Sequence, residues 1–130
     1  MKKFLLLPML LISYFSFAQD AKDIIGKPVK IGNLLVAEND ITYVKYWEDA
    51  VQACRDLGKG WRLPTNTELR ILYLNRKKIK GFLGVNYWSS SKSKYGRYYY
   101  LDFNDSKLKE ISVNEEFTDD IPHVRAVKSL

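Results

Sequence analysis

Apolar residues recur along this chain at three different spacings, and each predicts a different kind of element. Phe4 to Phe17 is a nearly continuous apolar run. Between Trp47 and Leu57 the apolar positions are Trp47, Ala50, Val51, Cys54 and Leu57, which fall on one face of a helix. Glu48 and Asp49 suit the positive end of that helix, and Gly58 supplies a stop. Before it, Leu34-Leu35-Val36 reads as a short strand ending in the turn Glu38-Asn39-Asp40. Ile41 to Tyr46 is β-prone, either another strand or an irregular link. Past Gly81 the pattern becomes strand-like at 85–91, 97–103, 108–113 and 123–129. A turn, Asn104 to Lys107, and an acidic loop with Glu115, Glu116, Asp119 and Asp120 separate these runs.

The stretch GWRLPTNTEL, Gly60 to Leu69, joins the two halves. Trp61 and Leu63 are large and alternate, as in a short extended segment with one buried face. Pro64 keeps Leu63 out of the helical region. Thr65 stands three residues before Glu68, the capping-box spacing, and so opens a second helix with Leu69, Leu72 and Tyr73 on one side. The helix runs into Arg76-Lys77-Lys78, favourable at its negative end. Every residue of the stretch except Arg62 has a structural duty on this reading. The set Trp61, Arg62, Leu63, Pro64, Thr65 and Glu68, with Trp88, is a joint rather than a reactive site.

The N-terminus changes the picture. Lys2 and Lys3 precede the apolar run, and Ser16-Phe17-Ala18 offers small residues where a signal peptidase cuts. With Pro8, Ser13 and Ser16 inside it, the run is short for a membrane span, although an uncleaved anchor is the alternative. The expectation is a signal peptide over 1–18, a flexible lead-in over 19–24 and one domain over 25–130. No cysteine lies near the cut, which argues against a lipid anchor. Of 130 residues, 112 remain after removal of those 18, enough for one domain and too few for two. Loss of Lys2 and Lys3 takes the formal charge from +6 to +4, a mild basic excess compatible with anionic partners. Export makes nucleic acid a poor partner. With Cys54 as the one cysteine, no disulfide forms within the chain.

Candidate chemistry is sparse. Cys54 lies on the apolar helix face and reads as core. His123, the single histidine, has no Cys/His cluster for zinc and no nucleophile motif beside it, and so reads as a surface or interface residue. Asp102, Asn104 and Asp105 are weak calcium candidates that also read as a hairpin turn. In a strand, Tyr99, Leu101 and Phe103 share one face, and Tyr98, Tyr100 and Asp102 the other. If the first set is core, Tyr98 and Tyr100 lie outside it, near Lys92, Lys94, Tyr95 and Arg97. Aromatic faces stack on sugars and cations pair with sulfate or carboxylate, so these six residues are the candidate ligand surface, the alternative being a tyrosine-rich sheet covered by loops. Arg76, Lys77, Lys78 and Lys80 form a second basic cluster.

The segments IGKPVKIGNLLVAEND, WEDAVQACRDLGKGWRLPTNTEL, NYWSSS, LDFND and VRAV occur in this order over almost the whole mature chain. Together they resemble the Lcl C-terminal domain family of bacterial exported proteins. The resemblance implies an α+β, C-type-lectin-like fold, with two helices packed on a small twisted antiparallel sheet. The RLPT helix start also resembles the formylglycine-generating enzyme family. Ala126 stands where some relatives have a second cysteine, and Ser106 where a glycine often tightens the turn. No Gly-X-Y stalk precedes the domain. The resemblance and the basic tyrosine surface together suggest an exported, non-catalytic module, without cofactor, for acidic glycans or another surface polymer. A protein-binding subunit of an envelope assembly and an enzyme related to the formylglycine-generating group are the alternatives.

Overall fold

A computed structural model describes residues 20–112, 115, 117 and 120–130. The expected signal peptide, and Val113, Glu116 and Asp119, lie outside the described residues. The lead-in read from the sequence as flexible is helical over residues 20–25 (α1). Its end is tied down where Glu38 and Asn39 donate backbone hydrogen bonds to the Ile25 and Ile24 carbonyls.

Strands β1 (Val29–Ile31) and β2 (Leu34–Val36) form a hairpin. Helix α2 covers Trp47–Arg55, β3 covers Trp61–Arg62, and α3 covers Asn66–Leu74 with a one-turn continuation α4, Arg76–Ile79. Strands β4 (Asn86–Lys92), β5 (Tyr98–Asp102) and β6 (Lys107–Ile111) follow, and β7 (Val127–Ser129) closes the chain. The strands form two antiparallel sheets, β1-β2-β7-β3 and β4-β5-β6. ITYVKY is an irregular link with a single bridge, Ile41 to Val124, and Tyr43 has φ of 64°. The architecture is therefore α+β, with two small sheets where one was expected.

Successive residues point to opposite faces of a strand, and here both faces are covered. One apolar cluster contains Val36, Leu69, Leu72, Tyr87, Leu101, Phe103 and Val127. The other contains Ala37, Ala50, Cys54, Trp61, Leu63, Trp88, Tyr98, Val124 and Ala126. Neighbours in sequence such as Tyr87 and Trp88, or Ala126 and Val127, thus go to different clusters.

The joint is built as its sequence implies, with one addition. Trp61, Leu63 and Pro64 are buried, and Thr65 and Glu68 form the reciprocal capping box. Arg62 also has a structural duty, contrary to the sequence reading. Its guanidinium grips the Glu68 carboxylate with both forks, Nη1 to Oε1 at 2.6 Å and Nη2 to Oε2 at 2.9 Å, and also donates to Ser129 Oγ at 2.8 Å. The cap of α3 is thereby tied to the last strand. The NYWSSS segment completes the joint. Ser90 N–H donates to the Pro64 carbonyl, Asn66 N–H to Ser91 Oγ, and Ser89 Oγ to Asn66 Oδ1.

A buried polar cluster ties the link before α2 to the segment that leads into β7. Asp40 Oδ1 accepts from Arg125 Nε at 2.7 Å, and Oδ2 accepts from Tyr87 Oη at 2.7 Å and from His123 Nδ1 at 2.9 Å. An ionised carboxylate only accepts, so His123 carries its proton on Nδ1. Arg125 is 1% exposed; it also donates to the Ala37 and Lys80 carbonyls and lies over the Phe82 ring. Gly81 has φ of 76°, and a Cβ there would meet Arg125 Nη2 at 3.2 Å, so conformation and space both call for glycine. His123, expected at a surface or interface, is instead a member of this cluster.

Two outcomes follow. Asp40→Asn leaves the Arg125 charge buried without its counter-ion and is expected to cost about 3–5 kcal/mol in denaturant unfolding. The Arg62 contact holds the Glu68 carboxyl below its ordinary value of 4.5. Its stabilising contribution is therefore present above that value and lost as pH falls through the lower folded value. Glu68→Gln should cost about 1–2 kcal/mol near neutrality, and thermal melts should show that difference shrinking below pH 4.5.

Candidate functional site

The structure divides the six expected ligand residues among three environments. Tyr98 is core: it is 7% exposed and stacks on the Trp47 indole, centroids 4.2 Å apart and planes within 5°. The alternation of faces along β5 holds, but α2 covers the face expected to be open. Lys92 is exposed, with its ammonium 4.9 Å from the Trp47 ring and 5.4 Å from the Tyr98 ring. Lys94 and Tyr95 occupy the β4–β5 hairpin tip, where Tyr95 is 76% exposed and the Lys94 ammonium lies 5.1 Å from its ring. Arg97 Nε faces Glu110 at 3.4 Å, an ion pair too loose to be a hydrogen bond. A basic hairpin thus survives as Lys92, Lys94 and Tyr95, while Arg97 is already paired.

Tyr100 belongs elsewhere. It is half-buried on β5 and lines a cleft of about 380 Å³. The cleft is framed by Gly84, Val85 and Asn86 at the start of β4, by Asp102 and Asn104 at the end of β5, and by Lys109, Phe117 and Asp120. Phe117 meets the Tyr100 ring edge-on at 5.1 Å and the Trp88 ring at 5.4 Å. On the rim, Asn86 Nδ2 donates to the Asp120 carbonyl at 3.2 Å. Register places Lys109 directly opposite Tyr100 and Lys107 opposite Asp102.

The calcium candidates are committed to a turn and an ion pair. Asp102 Oδ1 accepts from the Asn104 N–H at 2.8 Å, and Oδ2 accepts from Lys109 Nζ at 2.9 Å. Asp105 Oδ1 accepts from the Lys107 N–H, and its other oxygen lies 3.6 Å from the same ammonium. Hydrogen bonding to Lys109 holds the Asp102 carboxyl below its ordinary value, so the pair is charged at neutrality. A cation is thus already supplied by the chain, and no group of three or more metal-ligating side chains occurs among the described residues. The turn closes through Ser106, whose φ is 60° and whose N–H reaches the Asp102 carbonyl at 2.8 Å. The serine adopts the conformation expected of glycine, and the turn stays tight.

Burial raises the Tyr100 phenol above its ordinary value, so it is a neutral donor and acceptor at the cleft wall. The cleft therefore presents one aromatic wall, two carboxamides, two carboxylates and one ammonium. Such a set can hydrogen-bond a hydroxyl-rich ligand and stack on its apolar face. Asn86, Lys109 and Asp120 were not read as site residues. The NYWSSS motif held a faint signal for Asn86, whereas Lys109 enters only through strand register. Three of the chain's potentially reactive groups are held in place. Cys54 is fully buried, and that burial pushes its thiol up to about 12. The Ser89 hydroxyl donates to Asn66, and His123 is held by Asp40.

No family model and no curated protein matches this chain. Solved structures do: a chain from the complex of a mutant von Willebrand factor A1 domain with botrocetin is similar over 81% of this chain and 98% of its own length. The TM-score is 0.55 at 10% sequence identity, a likeness of fold alone. No helix among the described residues is long and apolar enough to cross a membrane.

The burial of the thiol can be checked directly. Native protein is expected to leave Cys54 unmodified by a disulfide reagent at pH 8, with one equivalent reacting after denaturation. Rapid labelling of the folded protein would place the thiol at an accessible site instead.

Proposed function

We propose that the chain is an exported, non-catalytic binding module with a C-type-lectin-like fold, akin to the Lcl C-terminal group, and that it holds a glycan. The observation that carries this reading is the polar cleft beside Tyr100. Its volume lies within the range of small-ligand sites, roughly 300–1,000 Å³. Tyr100 supplies an aromatic wall, and Asn86, Asn104 and Asp120 carry donors and acceptors suited to sugar hydroxyls.

The cleft charge refines the ligand class expected from the sequence. Asp102 and Asp120 outnumber Lys109, so the cleft suits a neutral or amino-bearing sugar better than a sulfated one. An acidic glycan is a second reading, favoured by the exposed tip residues Lys92, Lys94 and Tyr95. The buried Cys54 thiol and the committed His123 favour a binding role over the formylglycine-type enzyme.

A glycan array with exported protein, in calcium and in chelator, distinguishes these readings. Binding of neutral or amino sugars, insensitive to chelator, is expected. Asn104→Ala and Tyr100→Ala should each weaken it about tenfold, the scale of one or two lost hydrogen bonds or one lost aromatic contact. Asn104→Ala should leave the melting temperature unchanged, because its side chain stands at the cleft mouth. Exclusive binding of sulfated glycans, lost on replacing Lys92 and Lys94, would move the site to the hairpin. Failure to bind any glycan, together with recovery of a stable envelope partner, would favour the protein-binding alternative.

A further inference from the structure

Residues 69–101 contain eight lysines and arginines and no aspartate or glutamate. Folding answers only part of that charge. Arg97 faces Glu110, and Lys92 and Lys94 lie against aromatic rings. Arg76 gives its guanidinium to the Tyr73 carbonyl and ring. Arg70, Lys77, Lys78 and Lys80 are exposed and have no ion-pair partner among the described residues.

Exposed apolar side chains flank these cations. Leu74 is 77% exposed, one helical turn before Lys77 and Lys78, and Leu83 is 54% exposed, three residues after Lys80. The segment between them is held firmly. Ile79 is buried, the Lys80 carbonyl accepts from Arg125, and the Leu83 N–H donates to Tyr87 Oη. The leucines and lysines therefore project from a backbone that the buried polar cluster holds in place. Two large apolar side chains thus stand exposed in the same segment as four cations without an ion-pair partner among the described residues.

We propose that this surface, Arg70 to Leu83, docks the protein on an anionic lipid membrane. The lysines would meet lipid phosphates, and Leu74 and Leu83 would enter the boundary between headgroups and acyl chains. Each cation near such a surface contributes about 1 kcal/mol, screened by salt. A lipid interface offers negative charge and an apolar phase together, whereas a sulfated glycan offers only the charge. The two most exposed apolar residues here are leucines, a type under-represented among the anchors of protein interfaces. The proposal stands apart from the glycan cleft and does not depend on it.

The test is cosedimentation of the protein purified after export, its N-terminus fixed by mass spectrometry. Vesicles of phosphatidylcholine alone are compared with vesicles containing one third phosphatidylglycerol, at low and high salt. Binding is expected on the anionic vesicles only, and weaker at high salt. Lys77→Gln with Lys78→Gln should weaken partitioning about 30-fold, two cations at about 1 kcal/mol each. Leu74→Ser with Leu83→Ser should weaken it about tenfold while keeping its salt dependence. All four side chains are exposed, so melting temperatures should be unchanged. Equal sedimentation with both vesicle types, or none with either, overturns the proposal. Lipid binding that ignores the leucine substitutions and is displaced by soluble heparin also overturns it, and marks a polyanion site instead.

Discussion

The Asp40–Arg125 pair is the contact on which the rest of this structure depends. It joins the link before α2 to the segment that leads into the last strand, 85 residues apart in sequence. A buried charge is costly unless it is paired and its remaining hydrogen-bonding sites are filled. Here both requirements are met, by Tyr87 and His123 on the carboxylate and by the Ala37 and Lys80 carbonyls on the guanidinium. The same four side chains fix the start of β4, the turn after α4 and the crossing of the final segment between the two sheets. Backbone bonds from Trp88 to the His123 carbonyl and from His123 to the Asn86 carbonyl extend that crossing.

A second fixed point is the capping box of α3. Glu68 both caps the helix and receives the Arg62 fork, and Arg62 reaches Ser129. Local helix chemistry is thereby coupled to the order of strands in the first sheet. The joint and the buried cluster hold opposite ends of the same segment, 62–83, which explains how a run so rich in cations keeps a defined surface. Repulsion among its exposed side chains is modest in water and screened by salt, whereas the Asp40–Arg125 anchor is buried.

These constraints leave two distinct surfaces. The cleft at Tyr100 is polar, with its Asp102–Lys109 pair satisfied, so the charge it presents is arranged before any ligand arrives. The proposed lipid-facing surface is apolar and cationic, its four exposed cations having no ion-pair partner among the described residues. The proposed saccharide cleft and the proposed lipid-facing surface use separate residues.

Much of the architecture was legible along the chain because it rests on local chemistry. The face made by Ala50, Val51 and Cys54, the Thr65–Glu68 box, the extended Trp61-Arg62-Leu63 segment and the alternation of faces along β5 all follow from spacing and from what Pro, Thr and Gly permit. The fates of Tyr98, Arg62 and His123 did not follow. Alternation assigns a residue to a face but not what covers that face, and here α2 brings Trp47 onto Tyr98. Lys109 entered the cleft through strand register, and Asp40 met Arg125 through a crossing of the whole domain. By itself the sequence determined α2, the capped start of α3 and the strand runs past Gly81, since those depend on neighbours within about four residues, whereas α1 and β1 were not legible in it. Only the tertiary structure decided which polar groups are buried together and which aromatic faces remain open, because burial is a property of surfaces brought together from distant parts of the chain.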